Sequence, residues 1–247
     1  MCTIVCAHRV LADAAVAVAA NRDEALDRPA EPPRARGSDP VVVAPRDREA
    51  GGTWIGSSAA GLVVALANRW TDGPAGDRSR GRLVADALAQ PTLAAALRTV
   101  ERDLDRRAFA PFSMLMADRQ RAVLIEWTGR LRVRSLARGV HVVVNVGADG
   151  TYAASRDRPA ASRRQMRVAE TLRDALTARP TERASEWLDR ASEWLADHHV
   201  GACVHGDGFG TRSSSLIALG SDATFRYADG PPCRTQFRDI AAPEGHL

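Results

Sequence analysis

Small and β-branched residues dominate the opening of the chain, first as Thr3-Ile4-Val5-Cys6 and then, after a turn at Asp13, as the run from Ala14 to Ala20. Apolar runs of this length bounded by polar turns predict two neighbouring strands joined by a tight connection. Such a return brings Asn21, Arg22, Asp23 and Glu24 back beside Cys2. Residues 28–37 are crowded with proline and arginine and read as a surface loop. A short strand is expected at 41–44. Gly51-Gly52-Thr53-Trp54-Ile55-Gly56 reads as a turn entering another, and 61–67 is a buried strand ending in Asn68-Arg69.

The period then changes. Residues 81–88 and 92–106 place apolar side chains at helical spacing, a pair broken at Pro91. Strand patterns return at 112–116, 122–127, 131–136 and 140–144, and the turns at 118–121 and 128–130 make the first three an antiparallel meander. Helical spacing resumes at 160–177 and 181–196. Within the latter a heptad is duplicated, Arg183-Ala184-Ser185-Glu186-Trp187-Leu188-Asp189 and then Arg190-Ala191-Ser192-Glu193-Trp194-Leu195-Ala196. Seven residues make nearly two turns, so Trp187 and Trp194 share one face of a packed amphipathic helix. Residues 213–219 and 224–227 form a C-terminal hairpin. Antiparallel strands interrupted by helices in pairs predict an α+β layered fold, stacked sheets covered outside by helices, in one domain over 1–247.

Composition narrows the function. All 34 basic residues are arginine, which excludes Schiff-base lysine catalysis and a P-loop lysine. The net charge of +4 is spread among acidic residues with no basic stripe and no stacking aromatics, so nucleic acid is not an expected partner. No apolar stretch reaches membrane-spanning length and the N-terminus lacks a secretory signal, so a cytoplasmic protein is expected. The four cysteines, Cys2, Cys6, Cys203 and Cys233, contain no C-x-x-C pair. Cys2, Cys6 and His8 share one strand face, but no second cluster at ligand spacing completes a site, and no metal is expected.

Cys2 is the candidate for chemistry. If Met1 is removed, one carbon carries an α-amine with a pKa of about 8 and a thiol of about 8.5, a general base and a nucleophile in one residue. The alternative is an ordinary buried cysteine at a strand start. Asp23 can orient the Cys2 amine. Asn68 and Asn145 end the apolar strands 61–67 and 140–144, where an amide NH2 makes a rigid donor for a developing oxyanion; a strand-terminal Asn also serves simply as a turn former.

Met1-Cys2-Thr3-Ile4-Val5, Asn21-Arg22-Asp23-Glu24 with Arg28-Pro29, the Gly51 to Gly56 turn, Asn68-Arg69, and Gly210-Thr211-Arg212-Ser213-Ser214-Ser215 stand in an order that resembles the NRDE family. That family includes the transport and Golgi organisation protein 2 of animals. A more distant similarity is to the cysteine-type N-terminal nucleophile (Ntn) hydrolases, such as bile salt hydrolase and penicillin V acylase. The resemblance implies a four-layer αββα sandwich of two antiparallel sheets, with Cys2 as nucleophile, Asp23 holding the amine, and Asn68 and Asn145 binding the oxyanion. Those hydrolases keep an arginine three residues before the Asp, where this chain has Ala20. Arg22 and, later, Arg212 or Arg163 are the candidates to serve the thiolate.

Three functions follow from this resemblance. The first is an Ntn-type amidohydrolase or acyltransferase acting on a small-molecule non-peptide amide or thioester, without a cofactor. The second is binding and trafficking of haem or a lipid-like hydrophobic ligand, with Cys2, His8, His198, His199 or His205 as candidate axial ligands and no C-x-x-C-H attachment sequence. The third is a catalytically silent Ntn fold that contacts a partner through the Trp187 and Trp194 face.

Overall fold

The computed structural model describes residues 2–241. Two antiparallel sheets stack face to face with a pair of helices on each outer side. The first sheet contains β1 (Cys2–His8), β2 (Ala14–Ala25), β10 (Gly139–Val144), β11 (Gly147–Ala148), β12 (Thr151–Tyr152), β13 (Phe209–Gly220), β14 (Thr224–Ala228) and β15 (Arg238–Ile240), in the order β12-β11-β10-β1-β2-β13-β14-β15. The second contains β3 (Ala30–Arg36), β4 (Val42–Asp47), β5 (Ile55–Ser58), β6 (Val63–Asn68), β7 (Phe112–Ala117), β8 (Ala122–Trp127) and β9 (Leu131–Leu136), in sequence order. Helices α1 (Arg80–Leu88) and α2 (Leu93–Arg106) cover the second sheet, and α3 (Pro159–Ala175) and α4 (Ala184–Ala196) cover the first. This is the expected αββα sandwich.

The strand period of two explains the unbroken apolar runs. Along β1, Cys2, Ile4 and Cys6 point between the sheets, whereas Val5 and Ala7 point to α3 and α4. Both faces are covered, so both registers are apolar. Ala20 on β2 is fully buried in the inter-sheet layer. Trp187 is also fully buried, and its Nε1 donates to the Leu176 carbonyl at 2.8 Å. The tandem heptad therefore packs α4 onto the first sheet, and Trp187 is not available to a partner.

Two expectations need correction. Residues 30–36 form a strand, not a loop. Pro32 and Pro33 are tolerated because β3 is the edge strand of its sheet and its pairing with β4 shifts register between Glu31 and Arg34. Helix α4 starts at Ala184 rather than 181, since Thr181 has φ 61°, which no right-handed helix accommodates. The two-residue strands β11 and β12 and the edge strand β15 carry too little pattern to be read in advance.

Candidate functional site

Cys2 begins β1 directly opposite Arg22 of β2, and its side chain opens into a cleft of about 540 Å³ between the two sheets. Arg22 and Asn68 line the same cleft, as does Arg80 from the first turn of α1. Two glycines bring α1 there. A Cβ on Gly52 would lie 2.2 Å from the Gly81 carbonyl carbon, and the Thr53 N–H donates to the Gly81 carbonyl at 3.0 Å. The turn 51–56 thus meets the start of α1 backbone to backbone.

The Cys2 backbone nitrogen donates to Asn145 Oδ1 at 2.7 Å. Asn145 follows β10, is almost fully buried, and is fixed on three sides. Its Nδ2 donates to the Asn68 carbonyl at 2.6 Å, and its backbone N–H donates to Gln165 Oε1 at 2.7 Å. Its amide oxygen therefore faces the atom that would be the α-amine if Met1 were removed; Met1 itself lies outside the described residues.

Asp23 lies on the other face of β2, among the helices. Thr211 Oγ1 donates to Asp23 Oδ1 at 2.6 Å. Burial pushes the Asp23 carboxyl up to about 6, against the opposing pull of Thr211 and the Arg164 charge. Burial also pushes the Cys2 thiol up, and the Asp23 carboxylate adds to it; the Asp23 backbone N–H and Arg22 pull it down. Cations are abundant nearby. Arg22, Arg28, Arg46, Arg78 and Arg80 all line the cleft, against Glu24, Asp47 and Asp77. Arg22 and Arg28 share Asp47 at 3.1 and 2.7 Å. Arg80 donates to the Pro111 carbonyl at 3.0 Å, forms no carboxylate ion pair among the described residues, and feels the Cys2 and Glu24 charges.

Residues 1–229 match the family described as Transport and Golgi organisation 2. The chain belongs to that family. Comparison with curated proteins by sequence gives no match. Among solved structures, penicillin V acylase from Agrobacterium tumefaciens is similar at 14% identity and TM-score 0.59, covering 96% of this chain and 86% of that one. A variant of conjugated bile acid hydrolase from Clostridium perfringens matches at 13% identity and TM-score 0.59, over 99% and 95%. The Caenorhabditis elegans N-acylethanolamine-hydrolyzing acid amidase ortholog matches at 14% and 0.55, over 87% and 92%. At these identities the likeness establishes the fold: the family member has the Ntn-hydrolase architecture.

On that architecture the anticipated residues divide. Cys2, Arg22 and Asn68 line one cleft, with Asn145 hydrogen-bonded behind Cys2. The NH2 of Asn145, expected to meet an oxyanion, is instead held by the Asn68 carbonyl. Arg212 does not line the cleft. It falls at the register shift between Thr211 and Ser213, and its guanidinium donates to Asp229 at 2.7 Å. Arg163 is exposed on α3, and its neighbour Arg164 is the arginine that acts on Asp23. His8, His198, His199 and His205 do not line the cleft. Arg80, Gln165 and Thr211 were not anticipated in these roles. The one sequence signal for Arg80 was the glycine pair Gly51-Gly52, which demands a close backbone neighbour without saying which.

Proposed function

We propose that this family member is a cysteine-type Ntn acyl-transfer enzyme, an amidohydrolase or acyltransferase acting on a small-molecule amide or thioester. The observation that carries it is the hydrogen bond from the Cys2 nitrogen to Asn145 at the edge of an arginine-lined cleft. Removal of Met1 turns that nitrogen into an α-amine. The amine takes the thiol proton, sulfur attacks the substrate carbonyl carbon, and a C–S bond forms. The tetrahedral intermediate collapses with cleavage of the bond to the leaving amine or thiol, which receives the proton. Water, or a second acceptor, then attacks acyl-Cys2 and regenerates the thiol.

In this reading Asn145 positions the amine, Asp23 supports it from the helix side, and the Asn68 side chain supplies the oxyanion donor. Arg22 and Arg80 favour the thiolate. The excess of arginine in the cleft favours a substrate with an anionic group, for which a guanidinium offers paired donors. Function in the cytoplasm belongs to the same proposal, because a free Cys2 needs a reducing compartment; among the described residues no helix is long and apolar enough to cross a membrane. Haem fits the cleft poorly. Among the described residues no imidazole lines it, and the thiol that does, Cys2, is pushed away from its ligating form by burial.

Intact-mass measurement of purified protein is expected to show Met1 absent, and an acyl or chloroacetyl probe to modify Cys2 in preference to Cys6, Cys203 and Cys233. Retention of Met1 would refute the proposal. So would labelling undiminished in Cys2→Ser.

A further inference from the structure

Away from the cleft, the loop between α4 and β13 and the turn after β14 bring together His198, Cys203, His205 and Cys233, whose ligand atoms all lie within 4.8 Å of one another. We propose that these four side chains form a tetrahedral Cys2His2 site for a divalent metal of the zinc class, which braces the strand that supports Asp23.

The distances carry the metal assignment. Zinc bonds of about 2.3 Å to sulfur and about 2.0–2.1 Å to nitrogen set tetrahedral edges of about 3.8 Å for S···S and about 3.5 Å for S···N. Cys203 Sγ and Cys233 Sγ are 3.7 Å apart, and His205 Nε2 lies 3.6 Å from Cys203 Sγ and 3.2 Å from Cys233 Sγ. Three vertices thus already stand at the spacing of a zinc tetrahedron. His198, its ring centroid 4.9 Å from that of His205, supplies the fourth. Both cysteines are free thiols, a separation well beyond a disulfide bond. Two soft sulfurs with two imidazoles select zinc over magnesium or calcium, and four protein ligands with no open position mark a structural site. Binding releases the two thiol protons to solvent; the imidazoles coordinate in their neutral form.

The site ties the loop before β13 to the turn after β14. Cys203 and His205 flank Val204, whose N–H donates to Thr211 Oγ1 at 2.9 Å and whose carbonyl accepts from the Thr211 N–H at 2.8 Å. Thr211 in turn holds Asp23. The adjacent Ala202 carbonyl accepts from Asn21 Nδ2 at 3.0 Å. Fixing residues 203 and 205 to Cys233 therefore immobilises the partner of Asp23 without touching the cleft. A positioning role of this kind does not depend on the reaction at Cys2.

Full-length protein purified without a polyhistidine tag or chelator is expected to carry close to one zinc per chain by plasma mass spectrometry. Replacement by Co²⁺ is expected to give thiolate charge-transfer and tetrahedral ligand-field bands. His205→Gln alters an exposed side chain and should fold; it is expected to weaken zinc by more than the roughly 10- to 100-fold that loss of an outer-shell partner costs. Cys203→Ser combined with Cys233→Ser should abolish the cobalt charge-transfer band, while Cys6→Ala retains the metal. Freshly purified protein with four free thiols and no stoichiometric metal overturns the proposal. A Cys203–Cys233 disulfide, read as a mass two hydrogens lighter, also overturns it, as does zinc affinity unchanged in His205→Gln. None of these readouts uses catalytic activity, so they stand or fall independently of the acyl-transfer proposal.

Discussion

Gly52→Ala tests whether the contact between the turn and α1 sets the reactivity of Cys2. The added methyl would sit 2.2 Å from the Gly81 carbonyl carbon and 2.4 Å from the Arg82 nitrogen, both backbone atoms that cannot rotate away. Parting them to the 3.0 Å floor seen for real Cβ atoms takes at least about 0.8 Å, and ordinary contact needs more. Overpacking of this kind costs about 1–3 kcal/mol, and the Thr53 to Gly81 hydrogen bond is stretched as well. The displaced element is the helix start that carries Arg80 into the cleft. Moving that cation away raises the Cys2 thiol pKa further, and each unit of rise costs tenfold in thiolate at a fixed pH. Urea unfolding measures the stability loss, and the pH dependence of Cys2 alkylation, followed at the Cys2 peptide by mass spectrometry, measures the reactivity. Gly61→Ala is the control: its φ of +72° strains an alanine by about 1–2 kcal/mol, but nothing lies within 4 Å of the new methyl. It should lose stability with no change in alkylation. If Gly52→Ala keeps both the wild-type urea midpoint and the wild-type alkylation profile, the packing argument is wrong.

Three further outcomes follow from the site and its surroundings. Asn145→Ala leaves the Cys2 nitrogen and the Asn68 carbonyl without their partner, which should cost about 2–4 kcal/mol in urea unfolding and slow Cys2 labelling. Asp23 has a native pKa raised from 3.8 to about 6, so the native state binds more protons than the unfolded chain between those values. Its contribution to stability thus falls as pH rises through that window, by on the order of 3 kcal/mol in total, and Asp23→Asn should flatten this part of the stability profile measured by thermal melting. Activity runs the other way if ionised Asp23 supports the amine: it should drop as pH falls through about 6, a limb missing from whatever rate Asp23→Asn retains. His141 donates to Asp149 at 2.7 Å, and this bond raises the His141 pKa despite burial, while Asp149 is lowered. The histidine's share of stability is full below the ordinary His value and fades as pH rises through its raised one; the aspartate's share fades as pH falls through its lowered one. His141→Gln should therefore lower the melting temperature more at pH 6 than at pH 9.

Much of the layer order was legible in the chain because burial is written locally. A strand covered on both faces reads as a continuous apolar run, as in 14–20 and 61–67, and an outer helix shows the 3.6-residue stripe that places Trp187 and Leu195 together. The tight connection after β1 was enough to bring residues 21–24 back beside Cys2, and the register of the folded pair then sets Arg22 opposite it. The 28–37 segment was misread because its prolines oppose strand formation everywhere except at a sheet edge, and edges are assigned by the whole sheet.

What the sequence determined by itself was the αββα framework and the neighbourhood of Cys2, Arg22 and Asp23. The direction of the Asn145 amide, the entry of Arg80 into the cleft and the meeting of His198, Cys203, His205 and Cys233 were decided by the tertiary structure alone. Each depends on segments far apart in the chain approaching one another, as Gly52 meets Gly81, Cys2 meets Asn145 and Cys203 meets Cys233. Periodicity records which face of an element is buried. It does not record which distant side chain will be waiting there.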